Sequence, residues 1–313
     1  MLKRTVSGVI LILIMIGLMY VGDYFLLTGL LAMSLIGLWE FYRAAGAGGH
    51  RPYGYLGMTA ALFYYVLTAI WPEAFWETGL FMLYIIVVFM ALMIGSVISY
   101  PKRRIEDGAL TLTGILYVPV LFSSLYFLRE QEDGIFYVWY VFMASWGCDT
   151  CAYLAGRFFG RHKMSPHLSP KKTVEGAIGG TLGAILLSLL YALCISPFVH
   201  MESGELYIMS FFIGLVGALL GQLGDLFASS VKRVMGIKDF GNLIPGHGGI
   251  LDRFDSTLLV GPAVMIVIFV IKGVLAGKTW WYWDPQDRSG RRRGTGRRGR
   301  RRNFGSWRWR FAH

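Results

Sequence analysis

The chain has 313 residues, 55% of them hydrophobic and only 16% charged, with a mean hydropathy of +0.52. A soluble core of this length cannot bury that much apolar surface, so a soluble globular protein is excluded and an all-α polytopic integral membrane protein is expected. The net charge of +11 does not indicate a nucleic-acid binder, because the stretch from Lys278 to His313 carries Lys278 and eleven arginines against Asp284 and Asp287, and the remainder is close to neutral.

Apolar runs near the roughly 20 residues needed to cross a bilayer lie at 5–21, 24–41, 55–71, 79–99, 109–128, 135–155, 177–199, 206–229 and 250–275. About nine transmembrane helices are therefore expected. The first two runs are short and meet at Gly22-Asp23, so they read as two tilted spans or as one re-entrant hairpin. Met1-Leu2-Lys3-Arg4 leads into the first run with no small-x-small cleavage site before Asp23, and that run is expected to stay as an anchor.

The loops alternate in charge. Lys3 and Arg4, Arg43 and Arg51, Lys102-Arg103-Arg104, the stretch Arg157 to Lys172 and the segment after Ser229 are basic. The loops between them hold Glu73 and Glu77, then Glu130, Glu132 and Asp133, then Glu202 and Glu205, with Arg129 as the exception. Basic loops stay inside, which puts the N-terminus in the cytoplasm. Nine crossings then leave the Arg-rich tail outside, a conflict that is resolved if the tail translocates or the last run does not cross.

Acidic residues within spans are costly and point to function. Asp149 sits near the end of the sixth run and Asp225 near the end of the eighth, while Asp252 and Asp255 open the ninth. With the sixth and eighth runs directed inward and the ninth outward, all four carboxylates reach one depth at the cytoplasmic side. Asp252 and Asp255, three apart, share a helix face. Carboxylates gathered in a partly dry site repel one another unless a cation is present, and Mg²⁺ suits carboxylate, water and phosphate oxygens. The plainer alternative pairs each Asp with a nearby base such as Arg253; the common depth favours a shared site.

Basic residues surround this layer. Ser169-Pro170-Lys171-Lys172 reads as the start of the seventh helix, with Ser169 as N-cap and Pro170 at the first helical position. Lysines there oppose the helix dipole unless an anion binds. Lys232, Arg233 and Lys238 add positive charge, and Gly246, Gly248 and Gly249 let backbone N–H groups approach an anion, with His247 among them. Carboxylates for a metal, cations for phosphates and flexible N–H donors together make a nucleotide-phosphate site.

Other patterns carry less. Cys148 and Cys151 form a C-x-x-C with no second pair, and with Cys194 they read as small packing residues rather than a zinc or redox site. Gly176/Gly180, Gly179/Gly183 and Gly217/Gly221 have G-x-x-x-G spacing, which allows close helix contact and would draw the Lys171 region toward Asp225. Gly273 to Thr279 resembles a phosphate-binding loop, but it has three residues between its glycines where four are required and follows an apolar span rather than a strand.

The segment "SSVKRVMGIKDFGNLIPGHGGILDRFD", Ser229 to Asp255, resembles the signature of the phosphatidate cytidylyltransferase (CDP-diacylglycerol synthase) family. It matches at Ser229, Val231, Lys232, Arg233, Lys238, Asp239, Gly241, Ile244, Pro245, His247, Gly248, Gly249, Ile250, Asp252, Arg253, Phe254 and Asp255 without a gap. "DTCAYLAGRFFGRHK", "LSPKKTVEG" and "GQLGDLFASSVKR" are also similar to family segments, whereas the first hundred residues match mainly in hydropathy and the tail beyond Gly277 does not match.

The resemblance implies that the phosphate of phosphatidic acid attacks the α-phosphorus of CTP, giving CDP-diacylglycerol and pyrophosphate in phospholipid biosynthesis. It implies Asp225 and Asp252 as ligands of Mg²⁺, with a second cation such as K⁺ nearby. Asp225, Asp252, Asp255, Lys238, Asp239 and His247 are the expected catalytic set. Asp149, Ser169, Lys171, Lys172, Lys232, Arg233, Gly248, Gly249 and Arg253 are expected to bind substrates. The expected organisation is N-terminal transmembrane helices over 1–130, a catalytic transmembrane region over 131–277 and a disordered tail over 278–313. A homodimer in a bacterial cytoplasmic membrane follows from the same resemblance, with no nucleic-acid partner. A cation-coupled transporter would instead place its acids in mid-span, and a CDP-alcohol phosphotransferase would need D-G-x-x-A-R, which neither Asp107-Gly108 nor Asp133-Gly134 continues.

Overall fold

The computed structural model describes residues 2–71, 79–244, 246 and 248–275. Glu73, Glu77, Pro245, His247, the end of the Gly273–Thr279 stretch and the Arg-rich tail lie outside the described residues.

Nine helices and one small hairpin make up the described chain: α1 (Leu2–Val21), α2 (Asp23–Ala47), α3 (Gly54–Ile70), α4 (Leu80–Ile98), α5 (Ile105–Arg129), α6 (134–159), β1 (Lys163–Ser165), β2 (Ser169–Thr173), α7 (Val174–Ile195), α8 (Ser203–Val234) and α9 (Leu251–Leu275). Each helix falls on one of the nine apolar runs. Six of them, α2, α4, α5, α7, α8 and α9, are long and apolar enough to cross a membrane. On α7 the residues Ile178, Leu182, Leu186 and Leu190 repeat every four positions and are exposed, which is a lipid-facing stripe rather than an error in a soluble core.

The α1–α2 corner forms through Gly22 and Asp23, both at positive φ (71° and 44°). Arg129, at the end of α5, fastens the corner by donating from Nε to the Met19 carbonyl at 2.8 Å. Two helices carry π turns, Leu116–Val120 in α5 and Met143–Gly147 in α6. In α5 the cause is Pro119, which has no N–H to continue the ladder.

The hairpin corrects one expectation. Ser169 and Pro170 do not start a helix: Ser169–Thr173 is a strand paired antiparallel with Lys163–Ser165, and α7 begins only at Val174. Thr173 is the N-cap, its Oγ1 accepting from the Gly176 N–H at 3.1 Å. Proline pushes the residue before it toward extended backbone, and the strand pairing outweighs the N-terminal helix signal. Glu175 closes the hairpin's open end by accepting from the backbone N–H groups of Arg161 and His162 at 3.0 and 3.2 Å. Lys171 and Lys172 therefore stand on a strand and not in a helix's first turn.

The glycine spacing does produce close packing, with α6 and α9 as partners. A Cβ at Gly180 would lie 2.8 Å from that of Ala152 on α6, and one at Gly217 would lie 2.7 Å from that of Ala144 on the same helix. Gly221 faces Val260 of α9. Helices α6, α7, α8 and α9 thus form one tightly packed group, which brings the ends bearing Asp149, Asp225, Asp252 and Asp255 together. All three cysteines are free thiols.

Candidate active site

Helix α8 runs for 32 residues. At 1.5 Å per residue that is about 48 Å, well beyond an apolar layer of about 30 Å. The overhang holds Asp225, Ser229 and Lys232 on one face, at spacings of four and three. The helix stops in a Schellman motif: Gly236, at φ 67°, donates its N–H to the Arg233 carbonyl, and the Ile237 N–H reaches the Lys232 carbonyl at 2.9 Å.

Asp225 is partly open, and its Oδ2 is ion-paired with Lys172 Nζ from β2. Ser229 donates to its Oδ1 at 3.4 Å. Asp149 on α6 accepts from Ser256 Oγ at 3.4 Å and lies within electrostatic reach of Asp225, Lys172 and Arg253. Asp255 accepts from the Ser256 N–H at 2.9 Å and lies within reach of Asp225, Lys232 and Asp149. Three carboxylates from three helices are thus brought together.

Asp252 is engaged differently. It is buried, with its Oδ2 accepting from the N–H groups of Phe240, Gly249 and Gly241 at 2.8, 3.0 and 3.4 Å. Its Oδ1 takes Lys232 Nζ at 3.0 Å, and that ammonium also sits 5.3 Å from the centre of the Phe240 ring. Asp252 therefore closes the loop between α8 and α9 on itself. The turn inside this loop needs glycine: Gly246 and Gly248 have φ of 77° and 86°, and the Ile244 N–H bonds the Gly248 carbonyl at 2.8 Å. The Gly249 N–H, expected to meet substrate, is already used by Asp252.

Lys171, Arg233, Lys238, Asp239 and Arg253 are exposed and Ser169 is half-buried. Arg233 Nε approaches the Leu168 carbonyl at 3.5 Å, tying the end of α8 to the hairpin turn. A cavity of about 400 Å³ opens between α6, the hairpin, α7 and α8, lined by Asp149, Arg157, Lys171, Lys172, Gln222 and Asp225 among others. It is both acidic and basic, and it is large enough for a phosphate-bearing substrate.

Three further residues escaped the sequence reading. Arg157 lines the cavity and was visible only as one more basic loop residue. Tyr117, at the π turn of α5, is buried with its hydroxyl lacking a hydrogen-bond partner, within electrostatic reach of Asp255, Asp225 and Asp252. Glu40 of α2 is buried, and its two oxygens accept from the N–H groups of Ile250 and Leu251 at 3.1 and 3.0 Å. It lies at the end of an apolar run, where an acid looks like an interfacial flank.

Among the described residues no three His, Cys, Asp or Glu side chains converge to enclose a metal unaided. Mg²⁺ does not demand such a cage, since it keeps several waters and takes one or two carboxylates plus substrate phosphates. Asp149 and Asp225 at the cavity, with Asp255 and the unpartnered Tyr117 hydroxyl within electrostatic reach, are of the chemistry that suits a hydrated cation of that kind.

The profile of the Cytidylyltransferase family matches residues 2–271, well into the N-terminal half where only hydropathy had suggested kinship. A phosphatidate cytidylyltransferase of Staphylococcus haemolyticus is 32% identical over 265 residues, covering 85% of this chain and 98% of the relative. One from Staphylococcus epidermidis is 32% identical over the same lengths. One from Staphylococcus aureus is 39% identical over 173 residues, 55% of this chain and 64% of the relative. With helices, signature loop and clustered acids in place over the matched length, the chain belongs to the cytidylyltransferase family.

Proposed function

We propose that this protein transfers the cytidylyl group of CTP to phosphatidic acid, releasing pyrophosphate. A phosphate oxygen of the lipid forms a bond to the α-phosphorus of CTP as the bond to the β-phosphate breaks. The attacking phosphate is already ionised near neutral pH, so no strong general base is required. The task is to bring two anions together and offset the charge of the leaving group, which is positioning and electrostatics.

Asp225 and Asp255 would hold Mg²⁺, with Asp149 supporting them; when bound, the ion supplies charge neutralisation at the phosphates. The expected ligand Asp252 shares its Oδ1 with Lys232 and has its Oδ2 engaged by loop N–H groups, so beside any contact with the cation it shapes the loop. Lys171, Lys172, Arg157 and Arg253 would receive phosphate oxygens. Lys172 now neutralises Asp225, and its flexible stem lets it turn from carboxylate to phosphate once a cation takes its place. Lys232, Arg233 and Lys238 add positive potential at the loop, beside Asp239; His247, in the same signature segment of the sequence, would contact phosphate or act on a proton.

The basic loops favour a cytoplasmic location for this end of the bundle, nine crossings of a bacterial inner membrane and CTP entry from the cytoplasm, with the lipid arriving sideways between the helices. A second cation such as K⁺ and a homodimer belong to the same reading.

The observation that carries the proposal is the cavity lined by Asp149, Asp225 and Lys172, with Asp255 within electrostatic reach of both acids, in a chain of this family. The test is to incubate purified protein with labelled CTP, phosphatidic acid and Mg²⁺. Wild type should yield a labelled lipid and Asp225→Asn should lose it by about a hundredfold or more. No liponucleotide from wild type sinks the reaction; full activity in Asp225→Asn sinks the cation assignment.

A further inference from the structure

We propose that Glu40, from the N-terminal half of the chain, is a positioning residue that sets the signature loop and the start of α9 in their working geometry. This inference rests on the transferase reading above.

The first N–H groups of a helix have no partner within it. At α9 that need is met from another helix: Glu40 presents one oxygen to Ile250 and the other to Leu251. The carboxylate is 1% exposed, and a buried acid is costly unless its oxygens are bonded. Here the two N–H groups and the positive end of the α9 dipole supply the compensation. One turn further along α2, Arg43 donates from Nη2 to the Phe240 carbonyl at 3.2 Å. One face of α2 thus grips the loop at both ends, through a carbonyl at residue 240 and N–H groups at 250 and 251.

The glycines of the loop give independent support. A Cβ added at Gly241 or at Gly249 would collide with the Glu40 carboxylate. Two signature glycines are therefore explained by the approach of Glu40, apart from any ligand. Asp252 binds the N–H groups of Phe240, Gly241 and Gly249 from inside the same loop. Two carboxylates consequently fix opposite sides of one short segment. If Glu40 is altered, the start of α9 is freed, and Asp252 and Asp255, two and five residues on from Ile250, lose their fixed register against α8.

Glu40→Gln keeps the size but replaces one acceptor oxygen with a donor facing an N–H. Amide hydrogen exchange at Ile250 and Leu251, measured on the full chain without substrates, should become about tenfold faster or more. In the liponucleotide assay kcat should fall about tenfold or more while each KM changes less than about threefold, the pattern of lost positioning rather than lost binding. Ser34→Ala, on the same helix as Glu40, is the control: it removes the buried 2.8 Å contact with the Tyr65 hydroxyl of α3 and should leave exchange at 250–251 and kcat unchanged.

Unaltered exchange at these two amides in folded Glu40→Gln, or an equal loss of kcat in Ser34→Ala, overturns the proposal. If Glu40→Gln does not fold, Arg43→Gln, an exposed position, takes its place, with faster exchange at 240–251 expected and no change counting against the clamp. Should wild type make no liponucleotide, the reaction reading fails while the exchange result still decides whether Glu40 holds the loop.

Discussion

Replacing Asp252 by Asn tests the loop's internal anchor. The substitution removes the charge facing Lys232 and leaves one acceptor oxygen where three N–H groups and an ammonium converge. Removing one partner of a fully buried charge pair costs about 3–5 kcal/mol. Lys232 retains 15% side-chain exposure, so solvent recovers part of this and about 2–3 kcal/mol is expected. At about 2–4 °C per kcal/mol for a large domain, the midpoint should drop by roughly 5–10 °C. The assay is thermal unfolding in detergent at a fixed scan rate, for Asp252→Asn, Lys232→Met and the double variant. Because Lys232→Met leaves the three N–H bonds intact, the single variants should not add, with a coupling of at least about 1 kcal/mol. A midpoint within a degree of wild type, or strict additivity, would refute the claim that Asp252 organises the loop through Lys232.

Gly248→Ala should be poorly tolerated, because the residue sits at φ 86° and the new Cβ would lie 2.8 Å from Asp252 Oδ2; a melting curve unchanged from wild type would count against the turn geometry. On the opposite side of the molecule His200 donates its backbone N–H to Asp133 Oδ2 and pairs through Nδ1 with Oδ1, both at 2.9 Å. The hydrogen bond and charge of Asp133 raise the His200 pKa above its ordinary value. A group whose folded pKa is raised stabilises fully below its unfolded pKa, about 6.5, and loses that contribution as pH rises through the folded value. The midpoint difference between wild type and His200→Ala should therefore be largest in mildly acidic buffer and shrink toward alkaline pH; a difference independent of pH would show that the imidazolium plays no part.

Much of this architecture can be read from residues alone, because spans and acids obey strong rules. Apolar length locates all nine helices, and the cost of carboxylates in lipid picks out Asp149 and Asp225 before any coordinates. The hairpin is harder. Ser169-Pro170 is a good helix-start signal locally, and only the pairing with Lys163–Ser165, set by chain reversal, reveals the strand. Asp252 and Asp225 look equivalent as acids at one depth and each pairs with a lysine, yet one also faces a loop's N–H groups and the other a cavity; that difference lies in side-chain direction. Glu40 and Tyr117 are invisible for another reason. Their partners lie 210 and more than 100 residues away in sequence, and neither belongs to a local pattern.

The unbroken course of α8 has a consequence for how this chain can vary. From Gly214, which sits against Ile185, to Lys232 there is no turn to absorb a change in length. One inserted residue would rotate everything beyond it by about 100° and advance it by about 1.5 Å, swinging Asp225 and Lys232 off their partners together. Length differences between relatives should accordingly collect in the 196–202 connection or beyond α9, leaving the number of residues between those two points constant.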